Sequence, residues 1–117
     1  MATIRQQRVA SLLFEELSIM IENELEDPNL RLVRVTDVDV SRDLKHVKIF
    51  VDHQEYTVSK SDVLRGLNRA KSFIRGQIAQ RCQLRAVPEL LFYYDERQVQ
   101  AARIDELLKQ IADERQT

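Results

Sequence analysis

The most constraining feature of this sequence is a helical apolar stripe set between two runs that alternate residue by residue. Val47, Ile49 and Val51 recur every second position, as do Leu90, Phe92 and Tyr94, while Val63, Leu67, Ala70, Ile74 and Ile78 between them recur every three or four. A period of two belongs to a strand with one buried face, and a period near 3.6 to a helix with one buried side. A helix joining two strands of one sheet carries the chain back to the end where the first strand began. The two strands are therefore expected to lie side by side, parallel, with a right-handed connection.

Upstream, Ala2 to Glu26 reads as an amphipathic helix, with Val9, Leu12, Leu13, Leu17, Met20 and Ile21 on one side, and Asp27-Pro28-Asn29 ends it. Leu32 to Val40 reads as a strand whose alternation slips from Val33/Val35 to Val38/Val40, which predicts a bulge near Thr36-Asp37. Ser41-Arg42-Asp43-Leu44 is turn chemistry, so this strand should pair antiparallel with the one after it. Ser59 and Asp62 have the spacing of a capping box at the start of the long helical stretch, which runs to about Gln83. Pro88 suits the start of the third strand. After a loop from Asp95 to Gln98, Ile104, Leu107, Leu108 and Ile111 mark a last amphipathic helix. The pattern predicts one α+β domain over residues 1–117, with a core spanning about 5–111, a frayed tail from 112 to 117, and a three-stranded mixed sheet packed against helices.

Charge is distributed unevenly. The net charge is −1, yet the segment from Val63 to Pro88 holds Arg65, Arg69, Lys71, Arg75, Arg81 and Arg85 and no acidic residue, which leaves twelve basic against nineteen acidic residues elsewhere. Acids at helical spacing would relieve repulsion between these cations. Their absence points to a surface that meets an anion, with RNA phosphate the first choice. On a straight helix Arg65 and Arg69 fall opposite the apolar stripe and Lys71 and Arg75 on its flank, whereas Arg81 falls on the stripe itself. Arg5 and Arg8, one helical turn apart, can extend the patch.

Catalytic and cofactor chemistry finds little material. Gly66 and Gly76 are the only glycines and both fall in predicted helix, so no glycine-rich phosphate loop is present. His46 and His53 have opposite parity on one strand and are not expected to share a metal. Cys82 is the sole cysteine, which excludes an internal disulfide and a cysteine-rich zinc site; it reads as a semi-buried helical residue. The aromatic residues are expected mostly in the core. The longest apolar run is Leu90 to Tyr94, too short to span a membrane, and no secretory pattern opens the sequence, so the cytoplasm is the expected compartment. No enzyme activity, metal or cofactor is expected.

Several segments together resemble one family. Leu67-Asn68-Arg69-Ala70-Lys71-Ser72-Phe73-Ile74-Arg75, Val87-Pro88-Glu89-Leu90-Leu91-Phe92-Tyr93-Tyr94-Asp95 and Arg103-Ile104-Asp105-Glu106-Leu107-Leu108 resemble ribosome-binding factor A. Arg8-Val9-Ala10, Glu26-Asp27-Pro28, Val35-Thr36-Asp37-Val38 and Ser41-Arg42-Asp43-Leu44 match it in the same order. The resemblance implies a type II KH-like fold in which two helices meet at an Ala-x-Gly kink, occupied here by Ala70-Lys71-Ser72, in place of the Gly-x-x-Gly loop of ordinary KH domains. It also implies a monomer that binds the free, immature small ribosomal (30S) subunit, contacts 16S ribosomal RNA, and supports its 5′-end processing, including in cold adaptation. A protein-interaction module that docks its basic face on an acidic partner is the alternative.

Overall fold

The computed structural model describes residues 2–115. Its first helix, α1 (Ile4–Ile19), begins at a capping box in which the Thr3 hydroxyl accepts from the Gln6 amide and the Gln6 side chain accepts from the Thr3 amide. The apolar pattern alone does not pick out this cap. The helix does not run evenly to Glu26. It passes at Met20–Glu24 into a π-helical turn and stops at Leu25, which is extended. The wider turn lets Met20 and Ile21, adjacent in sequence, both enter the core with Leu13 and Leu17. Pro28–Leu30 form a short 3₁₀ turn capped by Asp27, whose side chain accepts from the Asn29 amide at 2.9 Å.

Strands β1 (Val33–Val40) and β2 (His46–His53) pair antiparallel, and β3 (Glu89–Tyr94) pairs parallel to β2, in the order β1-β2-β3. The register of β1 against β2 jumps from Val35↔Val51 to Asp37↔Phe50, so Thr36 is the bulged residue. That jump is why Val33 and Val35 before it, and Val38 and Val40 after it, all face inward. Val47, Ile49 and Val51 of β2 are fully buried on the face where α1 packs on β1 and the second helix on β3, and among the described residues no helix packs along the other face of the sheet.

That second helix, α2 (Lys60–Arg81), is capped by Ser59, which accepts from the Asp62 amide at 3.1 Å; the reciprocal half of the expected capping box is not formed. Val63, Gly66, Leu67, Ile74 and Ile78 are buried. The expected division into two helices at Ala70–Ser72 does not occur: α2 is one unbroken helix of 22 residues. Serine, unlike a kink glycine, carries no large helix penalty, and the stripe on both sides of it packs on one continuous surface. Gly66 has a separate role. A Cβ there would lie 3.0 Å from the Leu30 side chain and 3.2 Å from the Asp27 carboxylate, so its missing side chain lets the 3₁₀ turn sit against α2.

The last helix, α3 (Arg97–Arg115), starts inside the stretch expected to be loop and remains helical to Arg115, through residues 112–115 of the expected frayed tail. Residues 116–117, the end of the expected frayed tail, lie outside the described residues. Ile104, Leu107, Leu108 and Ile111, the apolar side expected of this amphipathic helix, are 47–59% exposed. The helix buries none of its described side chains, and the longest dimension of the molecule is 64 Å.

Its root, by contrast, is firmly held. Asp95, only 8% exposed, accepts from the Thr36 hydroxyl at 2.6 Å and from the Arg97 backbone and guanidinium. The Arg97 guanidinium, then Thr36, hold its carboxyl well below the usual carboxylate range. The bulge residue of β1 thus anchors the start of α3.

Candidate nucleic-acid interface

The six cations of the acid-free segment fall into two sets once the chain is folded. Acids absent from the local sequence arrive from elsewhere. Arg69 meets Asp27 at 3.0 Å, and Arg81 meets Glu24 at 2.6 Å and Glu16 at 3.6 Å. Arg65 reaches back one turn to Asp62 at 2.9 Å, just outside the segment. Asp27 is lowered by its Asn29 amide bond and then by Arg69, so it stays ionised as a partner. Arg81, which helical geometry placed on the apolar side, makes ion pairs from α2 to α1 and to its π-helical turn. The bond to Glu24 is the main reason its guanidinium holds its proton more tightly than usual.

The other set has no carboxylate partner among the described residues. The Lys71 ammonium sits 5.9 Å from the centre of the Phe92 ring, beside β3. Arg75 donates from Nη2 to the Val87 carbonyl at 3.3 Å, in the segment leading into β3. Arg85, in that same segment, is exposed. Because β3 is an edge strand and α2 packs along it, these three cations follow one border of the molecule, where helix meets sheet edge.

Arg5, exposed on the first turn of α1, is brought to the end of this border, where it shares a cleft with Arg85 and Lys45. Lys45 was not singled out by the sequence. It follows an ordinary turn motif, and only the sheet brings it near residues 5 and 85. Arg8 is exposed on α1 but does not line this cleft. Ala70 and Ser72 lie inside α2, in the same turn as Lys71.

The expectation of mostly buried aromatic residues does not hold. Among the described aromatic residues Phe92 is the one in the core, whereas Phe73 is 51% and Tyr56 fully exposed. Phe50 and Tyr93 face each other across β2 and β3 and stack on the open side of the sheet at 5.7 Å. Parity pushed them outward together, and pairing on adjacent strands is a relation the sequence alone does not display.

Cys82 caps α2 and is buried, and burial pushes its thiol up, away from the reactive thiolate. The His53 ring is bound to the Tyr94 hydroxyl at 2.9 Å and the Val58 carbonyl at 2.6 Å. Among the described residues no helix is long and apolar enough to cross a membrane.

With this geometry in place, comparison with known proteins decides the relationship. The ribosome-binding factor A family model matches residues 5–108. The chain belongs to the ribosome-binding factor A family. The ribosome-binding factor A of Halothermothrix orenii is 38% identical over 113 residues, covering 97% of this chain and 93% of that relative. That of Chromohalobacter salexigens is 40% identical over 114 residues, covering 95% and 87%. Among solved structures, the crystal structure of ribosome-binding factor A from Thermus thermophilus superposes with a TM-score of 0.70 at 28% identity, covering 76% of this chain and 93% of that one. A Thermus thermophilus ribosome-binding factor A model fitted into the map of a 30S complex superposes with a TM-score of 0.56 at 27% identity, covering 80% and 93%. The KH-like helix–strand–strand–helix–strand order is thus shared with ribosome-binding factor A structures, and α2 is continuous here.

Proposed function

We propose that this protein is a non-catalytic assembly factor that docks, as a monomer in the cytoplasm, on the free, immature small ribosomal subunit. It contacts 16S ribosomal RNA and supports 5′-end processing and maturation, including at low temperature. The observation that carries the reading is the border of Lys71, Arg75 and Arg85, continued by Arg5, which keeps its positive charge while Arg65, Arg69 and Arg81 are offset by carboxylates. An unpaired row of cations beside a sheet edge suits a phosphate backbone, and the Thermus relative was fitted into a 30S complex. A catalytic reading has no comparable support, because Asp95 and Asp52, the two buried carboxylates among the described residues, are both held by arginines.

The test is co-sedimentation with small subunits on sucrose gradients over a range of salt. Lys71→Glu with Arg75→Glu should weaken binding by about tenfold or more and flatten the salt dependence, since each phosphate contact on single-stranded RNA contributes a log–log slope of about −0.7. Arg65→Glu with Arg69→Glu should do less, because those guanidinium groups already have partners. Unchanged binding by a folded Lys71/Arg75 variant, or equal travel with complete ribosomes, would overturn the proposal. Binding that survives digestion of the RNA would favour the acidic-protein alternative.

A further inference from the structure

At one end of the molecule three segments distant in sequence enclose a cleft of about 230 Å³: the first turns of α1, the turn between β1 and β2, and the segment from Leu84 to Pro88. Its walls are apolar, with Val9, Leu44, Leu84 and Pro88. Its rim carries Arg5, Lys45 and Arg85, none of them paired with a carboxylate among the described residues. The single acid on the rim, Asp43, is turned to local work. Its Oδ1 accepts from the Ser41 hydroxyl at 2.7 Å and the Lys45 amide at 3.0 Å, and these bonds hold it ionised. Three cations against one carboxylate leave the rim positive.

The shape is maintained at a cost. Leu44 has φ 62° and Gln83, beside Leu84, has φ 50°, the left-handed region that non-glycine residues enter only with steric strain. Leu44 is held there by its amide's bond to the Ser41 carbonyl and by packing its side chain on the core. The Lys45 carbonyl accepts from the Glu89 amide at 2.8 Å, which fixes the turn against the start of β3. Two left-handed backbone sites therefore flank an apolar floor that a glycine or asparagine turn would not provide.

We propose that this cleft takes one unstacked base of a single-stranded RNA segment, with the adjoining phosphates on Arg5, Lys45 and Arg85. The volume is below the roughly 300 Å³ at which drug-sized ligand sites begin, so it suits one planar ring rather than a whole small molecule. The rim cations fit the flanking anions, and Arg75, bonded to Val87, continues the positive border along which the strand runs toward Lys71. Apolar side chains can receive an unstacked base while cations at the rim take its backbone. The inference rests on the RNA-binding reading and adds to it the place where a base is received.

Methyl NMR on the full chain tests it, using a short single-stranded oligoribonucleotide, the same oligonucleotide with abasic positions, an RNA duplex and polyglutamate as probes. The single strand should shift the Val9, Leu44 and Leu84 methyls, and the abasic and duplex probes should not. Ala86→Phe, which fills the cleft from an exposed loop position without changing charge, should reduce single-strand affinity by about tenfold and leave duplex affinity unchanged. RNA binding with still methyls, or with Ala86→Phe indistinguishable from wild type, overturns the cleft while leaving the RNA reading intact. Methyl shifts with polyglutamate equal to those with RNA overturn it in favour of an acidic peptide. No binding of either RNA overturns both.

Discussion

α2 and α3 carry apolar residues at the same helical spacing and have similar lengths, 22 and 19 residues, yet α2 buries five residues and α3 none of those described. The difference lies in what each helix is attached to. α2 connects two neighbouring parallel strands, so both of its ends are pinned to the sheet and its stripe cannot avoid the face between them. α3 is held at its start, by Asp95 and Thr36, and none of its described side chains along its length is buried. An apolar stripe states that a helix can bury one side. It takes a second attachment to state where.

The comparison breaks most readily in the core. Ile74→Ala should destabilise the protein by about 2–5 kcal/mol, because Ile74 is fully buried and its removal leaves a cavity. Leu107→Ala, at a site 58% exposed, should change stability by only about 0.5 kcal/mol. Urea unfolding of the two variants gives the answer, and equal losses would mean that α3 packs on the domain in solution.

Asp95→Asn should cost about 1 kcal/mol at neutral pH through the weakened Thr36 and Arg97 bonds at the root of α3. The pH dependence sharpens the assignment. Since the folded carboxyl is depressed, its contribution is fully present above the unfolded value of about 3.9 and is lost as pH falls below that toward the folded value. Wild type and Asp95→Asn should therefore differ in stability by a constant amount from about pH 7 to about pH 5 and converge below about pH 4. A difference that closes between about pH 5 and 7 would assign the effect to another group.

The smallest effect separates two glycines within α2. Gly76→Ala meets no atom within 4 Å and should stabilise by up to about 1 kcal/mol, through better helix propensity and a less flexible unfolded chain. Gly66→Ala gains the same propensity but presses its Cβ against buried Leu30, and should show no stabilisation. Thermal unfolding of the pair shows whether the close approach of the 3₁₀ turn to α2 is tight.

Much of this molecule is legible before folding, because much of it is set by near neighbours. The bulge at Thr36, the turn from Ser41 to Leu44, the Ser59 cap and the parallel β2–β3 pair are all written in local spacing, which the backbone converts directly into geometry. The π-helical turn is not legible. Met20 and Ile21 fit an ordinary stripe on paper, and only the shape of the space beneath them favours the wider turn. A break at Ala70–Ser72 is expected from helix length and family pattern, and neither takes account of the continuous packing surface that keeps α2 whole.

The candidate site divides along the same line. Sequence alone determined that a basic, acid-free segment lies on an otherwise acidic chain and that most of its cations stand clear of the apolar stripe. Only the tertiary structure decided which of them remain uncompensated. It carried Asp27, Glu24 and Glu16 to Arg69 and Arg81, left Lys71, Arg75 and Arg85 without carboxylates among the described residues, and brought Arg5 and Lys45 together with Arg85. The physical reason is range: periodicity and capping act over a few residues along the chain, whereas ion pairing acts over a few ångströms in space, and those ångströms exist only after the sheet has formed.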